Sequence, residues 1–422
     1  MEVKYYEYHI ISHNMSQGAV LQLEAQGAQD IYLTGNPQVS HFKSVVKRHT
    51  NFAVETIENH FHGRISPGKR VYCDIERAGD LLSRMFLRVD LPALQETQGL
   101  NNVYTSWVNA VGFAMIDYIE IEIGGRVIDR QYGQWMFIWA ELTEDSATKG
   151  GLSSMIGGHS VFTPSTQNGP LQLYIPLYFW FCRDLGSSLP LVSLQLQHVK
   201  FYLQFRNFDS LWVSNNREQA KKQLAINGDT LFNRASLFTD YIFLDNDERR
   251  YFAKNRHFYL IEQVQMETLS IDTTKDVNNI DLPFNHPVKE LIWVVQGQNV
   301  MRENEWFNFS SDLGPDPLSP LRSALLRFDG TERFEEKEER YFRLVVPWEK
   351  HTATPNSFIY VYSFADSPEK LQPTGTANFS RLDSATLHLR MGPIADSQVT
   401  IYATNYNIFR INNGISGVLF SN

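Results

Sequence analysis

Apolar and polar residues alternate at a period of two through most of this chain. The segments FAVETIENHF (52–61), RVYCDIE (70–76), RMFLRVDL (84–91), IDYIEIEI (116–123), LQLYIPLYFWF (171–181) and HVKFYLQF (198–205) are rich in β-branched and aromatic residues and bounded by Gly, Pro or Asn. Such stretches predict strands, because successive side chains on a strand point to opposite faces. Patterns of period 3.6 are few. PQVSHFKSVVKRH (37–49) predicts an amphipathic helix with Val39, Phe42, Val45 and Val46 on one face, and a second helix follows Arg130 in QYGQWMFIWAELTED. The pattern is all-β with two or three accessory helices.

The strand pattern repeats. NFAVETIE matches HFYLIEQV with Phe52 on Phe258, an offset of 206, and IEIEIGGRVIDR matches ALLRFDGTERFE with Gly125 on Gly330, an offset of 205. LLSRMFLRVDLP matches VKELIWVVQG at nearly the same offset. Further on, YFWFCRDLGSSLP parallels YVYSFADSPEKLQP with Pro190 on Pro373, VKFYLQF parallels ATLHLRM, and DYIFLDNDERRYF parallels IYATNYNIFRINN. The falling offset assigns longer loops to the first copy, within 143–170 and 207–236. The chain therefore reads as an N-terminal extension (1–26) and two β units (27–249 and 250–422), each with about eight strand candidates. A hairpin at Gly124-Gly125 or Asp329-Gly330 lies in the middle of each unit. Eight antiparallel strands with long loops suit a jelly roll, so the expected architecture is two tandem jelly rolls; the pattern leaves the strand order open.

A length of 422 residues leaves room for two or three cores. The formal net charge of −9 disfavours a role in coating nucleic acid. Two cysteines, Cys73 and Cys182, exclude a disulfide framework; they read as unpaired, mostly buried thiols, a single bridge being the alternative. The opening MEVKYYEYHIISHN has no apolar core and predicts no secretory signal. The sequons at Asn14, Asn308 and Asn378 accordingly read as unmodified.

Candidate chemistry is sparse. GRISPGKR (63–70) has the glycines and the lysine of a phosphate-binding loop, but Arg70 stands where a Mg²⁺-binding hydroxyl belongs and no helix pattern follows. Pro67-Gly68 between two strands reads as a turn, so Lys69 carries no nucleotide role. His60 and His62 share a strand face as a metal pair would, yet Ser66 and Pro67 stand where the third, acidic ligand belongs. No cofactor is called for. The run ERFEEKEER (332–340) reads as a solvated face or an ion-pair strip between subunits.

GAQDIYLTGNPQVSHFKSVVKRHTNF (27–52) closely resembles the N-terminal signature of the major capsid proteins of nucleocytoplasmic large DNA viruses. IEIEIGGRVID, DYIFLDNDERRYFA, LPFNHPVKELIW, YSFADSPEKLQPTGTANFSRLDSATL and IYATNYNIFRI are similar to later blocks of that family, in the same order. The resemblance spans residues 16–422 and leaves 1–14 as an extension. It implies a double jelly roll, homotrimers that tile an icosahedral shell, and minor capsid and penton proteins and an inner viral membrane as neighbours. The implied place is the virion, after assembly in the host cytoplasm. It also implies that the N-terminal segment faces the particle interior, where Lys43, Lys47 and Arg48 would help to seat the capsomer. Alternative readings are a minor capsid paralogue, a jelly-roll glycan-binding protein, or an enzyme on this scaffold; the last lacks an acid/base or metal cluster.

Overall fold

A computed structural model describes residues 17–94, 105–158, 169–223, 232, 234–272, 274–313, 318–392, 394 and 396–420. Two compact units emerge, Met1–Thr50 and Asn51–Asn422. In the first, helices Gln17–Glu24 and Ala28–Thr34 bury no residue. Residues 37–49 are not the helix that their periodicity predicts. They form a turn at His41 and Phe42 and otherwise run without regular structure, and Val39, Phe42, Val45 and Val46 are all exposed. The reason is physical: three valines and two histidines give weak helix propensity, and an exposed apolar face cannot offset the cost of nucleation.

In the second unit, eight strands form the first roll: β1 (Phe52–His60), β2 (Arg70–Ile75), β3 (Leu81–Leu91), β4 (Ile116–Ile123), β5 (Arg126–Tyr132), β6 (Leu171–Pro176), β7 (Val199–Phe205) and β8 (Arg234–Leu244). Eight more form the second: β9 (His257–Ile271), β10 (Val277–Asp281), β11 (Pro287–Gly297), β12 (Leu321–Phe328), β13 (Thr331–Glu332), β14 (Tyr360–Ser363), β15 (Ala385–Met391) and β16 (Ser397–Asn412). The first roll pairs its strands as β1-β8-β3-β6 and β2-β7-β4-β5, and the second as β9-β16-β11-β14 and β10-β15-β12-β13. Adding eight to each number of the first roll reproduces the second. This is the double jelly roll, and it supplies the strand order that periodicity could not.

Alternation builds each core. Val199, Phe201, Leu203 and Phe205 of β7 point inward, as do Ala385, Leu387, Leu389 and Met391 of β15, with half-buried residues between them. Equivalent hairpins join β4 to β5 and β12 to β13. Gly124 and Gly125 have φ of 60° and 83°, and Asp329 and Gly330 have φ of 50° and 78°. Two successive residues at positive φ form the turn whose twist matches a right-handed strand pair, which is why glycine stands in both.

The run 171–181 is only partly a strand. β6 ends at Pro176, which has no N–H to donate, and the chain turns into a short helix, Trp180–Arg183. Leu177, Phe179, Trp180 and Phe181 are buried all the same, so the apolar run reported burial rather than extension. Of the longer loops in the first copy, 143–170 contains helix Ser146–Ile156, and 207–236 contains strand Trp212–Ser214, paired with Thr105–Trp107, and helix Arg217–Gln223. Between the rolls lies helix Asn246–Lys254, capped by Asp245, and the expected boundary at 249/250 falls inside it. The Asn14 sequon lies outside the described residues.

Candidate functional site

Local chemistry dissolves into structure. GRISPGKR is the connection between β1 and β2: Gly63 and Gly68 have φ of 94° and 74°, the Lys69 amide donates to the Ser66 carbonyl at 3.2 Å, and no helix follows. His62 stacks on Tyr72 at 4.9 Å and pairs with Asp74 at 3.2 Å, while His60 is exposed. Among the described residues no three His, Cys, Asp or Glu side chains are grouped to hold a metal. Cys73 is buried and Cys182 partly so, both as free thiols; burial pushes the Cys73 thiol up to about 12 and raises that of Cys182 as well. Neither is a reactive thiolate at neutral pH. The acidic run 332–340 pairs within its own roll, Glu332 with Arg327, Glu336 with Arg390 and Glu339 with Arg343.

What the fold does build is a seam between the rolls. β5 and the helix that follows it, Gly133–Thr143, lie across the outer face of the β9-β16-β11 sheet. The edge strand β9 has one side unpaired, and there the Val264 amide donates to Asp129 Oδ1 at 3.1 Å. Burial raises the Asp129 carboxyl to about 7, against the hydrogen bonds from Val264 and Gln131. Along the helix, Gln134 donates to Gln296 and accepts from the Tyr402 hydroxyl, both at 2.8 Å; Trp135 packs on Tyr402 at 5.4 Å; Phe137 stacks on Phe307 at 4.1 Å. Gly133 starts this helix where a Cβ would stand 2.2 Å from the Phe113 carbonyl oxygen.

Trp139 centres a set of buried charges. The Arg183 guanidinium lies 4.3 Å from its ring centroid and the Lys289 ammonium 5.5 Å away, and His351 meets its edge at 6.4 Å. Lys289, fully buried, pairs with Glu262 at 2.8 Å and donates to the Pro368 carbonyl at 2.6 Å. Glu262 also holds Arg183 from the first roll. Beside them the His351 ring lies between Glu290, 3.1 Å from Nε2, and Glu369, 3.0 Å from Nδ1. The Glu290 approach lacks hydrogen-bond alignment, so it acts as a charge contact. Burial alone would lower the imidazole, but Glu290 and then Glu369 outweigh it and raise His351 to about 9.

The equivalent outer face of the first roll is not covered in this way. Phe86 and Phe238, cross-strand neighbours on β3 and β8, take the place that Ile292 and Tyr402 take on β11 and β16. Ile292 and Tyr402 are buried under the helix; Phe86 and Phe238 remain partly exposed, with Tyr174 against Phe238 at 6.1 Å and Arg88 over Tyr174 at 5.7 Å. Similarly, the helical segment after β13, Tyr341–Val345 continuing as Val346–Lys350, leaves Trp348 78% exposed, whereas Trp139 in the corresponding helix of the first roll is 3% exposed.

Of the residues singled out from sequence, Gly125 and Gly330 occupy matching hairpins, whereas Pro190 is buried before a short helical turn and Pro373 is exposed in a loop. Lys43, Lys47 and Arg48 are exposed in the irregular stretch of the first unit. The seam residues Trp139, Arg183, Glu262, Lys289 and His351 escaped notice. One signal pointed to them: Lys289-Glu290 interrupts the apolar strand VKELIWVV, where charges are tolerated only when paired.

Comparison with known proteins identifies the family. The family described as major capsid protein N-terminus matches residues 40–245, and that described as large eukaryotic DNA virus major capsid protein matches residues 248–417. The major capsid proteins of Pyramimonas orientalis virus and Phaeocystis pouchetii virus are 39% and 36% identical, each over 96% of this chain and 100% of the relative. A quasi-atomic model of the PBCV-1 virus capsid superposes with a TM-score of 0.77 at 28% identity, covering 91% of this chain and 100% of that one. The Faustovirus major capsid protein, 12% identical, shares the fold with a TM-score of 0.75 over 93% of this chain and 96% of its own. With both halves matched by family and by fold, the chain belongs to the major capsid proteins of large eukaryotic DNA viruses, structural proteins of the virion shell.

Proposed function

We propose that three copies of this chain form a capsomer of pseudo-hexagonal outline, and that such capsomers tile an icosahedral shell. The observation that carries this reading is the identity of strand order in the two rolls. Three chains of two like rolls present six near-equivalent sides, which suits a hexagonal lattice site. Residues 1–26 serve as an arm, and 27–249 and 250–422 as the two rolls. Capsomers meet minor capsid and penton proteins in the shell, and assembly takes place in the host cytoplasm. Lys43, Lys47 and Arg48, exposed together, line the inner side; facing an anionic membrane, each would contribute about 1 kcal/mol. Reversal of all three to Glu leaves the trimer intact and impairs shell assembly; normal assembly of that variant removes them from the account.

Sedimentation of the purified chain tests the trimer. The expected species has three times the 48.7 kDa of the chain and persists at micromolar concentration, as an obligate interface of both rolls requires. A stable monomer with affinity for glycans would overturn the reading in favour of a carbohydrate-binding module.

A further inference from the structure

The two rolls have the same strand order, so each owns the same two surfaces: an outer sheet face, and a helical segment after its fifth strand. Within one chain only half of these surfaces are joined. The helix Gly133–Thr143 of the first roll covers the outer face of the second, burying Ile292 and Tyr402. The helical segment of the second roll and the outer face of the first are left without each other, and both carry aromatic groups in the open. Val345 and Trp348, one turn apart, are 45% and 78% exposed. Phe86, Tyr174 and Phe238 form a partly exposed cluster on the other surface.

We propose that Val345 and Trp348 dock on the Phe86–Tyr174–Phe238 cluster of a second copy of this chain, repeating between copies the seam that joins the rolls within one. The partner is a second copy because the receiving face is the counterpart of one that already accepts this kind of segment. Trp348 takes the part of the tryptophans of the first roll's helix, of which Trp135 packs on Tyr402, and Phe86 and Phe238 take the parts of Ile292 and Tyr402. A large aromatic side chain seated in such a cluster is the type of group that dominates interface energetics. Charge does not oppose the approach: Glu349 follows Trp348, and Arg84 is exposed on β3 near Phe86. Donor and acceptor lie on different rolls, so the contact is head-to-tail. A contact of that type produces a closed ring when its rotation closes. The inference rests on the capsomer reading and names the surface that builds it.

Two variants of the full chain that each add one cysteine in a Cys73→Ser, Cys182→Ser background, Trp348→Cys and Phe238→Cys, test the geometry when mixed and oxidised. The expected result is a cross-link joining one of each, absent when either variant is oxidised alone. Cross-linking of Trp348→Cys to itself would show a two-fold contact and overturn the proposal. As a second measurement, Trp348→Ala should raise the concentration at half-assembly at least tenfold while leaving the circular dichroism spectrum unchanged, because the residue is exposed in the single chain. If the parent chain trimerises and Trp348→Ala assembles equally well without the mixed cross-link, the docking fails and the capsomer stands. If the parent chain is monomeric, the capsomer reading fails with it.

Discussion

Glu262 holds two cations at the seam, Arg183 from the first roll and the fully buried Lys289 from its own. Removing one partner of a buried ion pair costs about 3–5 kcal/mol, since it leaves an uncompensated charge in a medium of low polarity. Lys289→Met leaves Glu262 with Arg183, so its cost belongs near the lower figure. Glu262→Leu takes from Lys289 its paired carboxylate and leaves it the Pro368 carbonyl, the rings of Trp139 and Tyr406 and the charge of Glu290, which already serves His351, so its cost belongs nearer the upper one. An unfolding entropy of about 2.1 cal/mol/K per residue over Asn51–Asn422 converts these costs into falls of about 4–6 °C in the thermal midpoint. In the double variant only Arg183 remains, and its side chain, 20% exposed, can turn to water. The two changes therefore couple, and the double variant should cost about 2–3 kcal/mol less than the two single changes added together. Calorimetry of the four proteins measures this cycle. Additivity within about 0.5 kcal/mol, or a Glu262→Leu chain as stable as the parent, would refute the view that these charges act as one unit across the rolls.

The raised imidazole of His351 gives a pH signature. Its stabilising contribution is complete below about pH 6.5, the ordinary value, and is lost as the pH rises through about 9; a His351→Gln chain should lack that decline, and a parent chain that gains stability relative to it over the same range would contradict the sign. Gly330→Val should cost about 1–2 kcal/mol from backbone strain alone, because a Cβ there meets nothing within 4 Å. Gly133→Ala should cost more than Gly330→Val, since its Cβ would stand 2.2 Å and 2.3 Å from two carbonyl oxygens; equal thermal midpoints would count against the close approach. Lys69→Ala should assemble as the parent does, and neither chain should bind ATP; saturable ATP affinity of the parent abolished by that change would restore the phosphate-loop reading.

Alternation revealed the strands and the internal repeat because a half-buried strand writes its geometry into every second residue. Strand order was invisible, since pairing is decided between segments far apart in the chain: β1 pairs with β8 across about 180 residues. Two local readings failed for opposite reasons. Residues 37–49 have helical periodicity but their apolar side chains are exposed, and 173–181 is almost wholly apolar because much of it is buried, although Pro176 ends the strand. The seam lay beyond local reading because its charges come from five separate stretches of sequence. The pair at 289–290 alone signalled that something in the core must answer it.

The most direct test of the account is an image reconstruction of purified virus particles at side-chain resolution, with mass spectrometry of their most abundant protein. That protein should be the present chain, with three copies in each capsomer. Six jelly rolls should then ring the centre, with Trp348 of each copy against Phe86 and Phe238 of the next. Capsomers built from a different polypeptide, or from this chain in any other number, would contradict it.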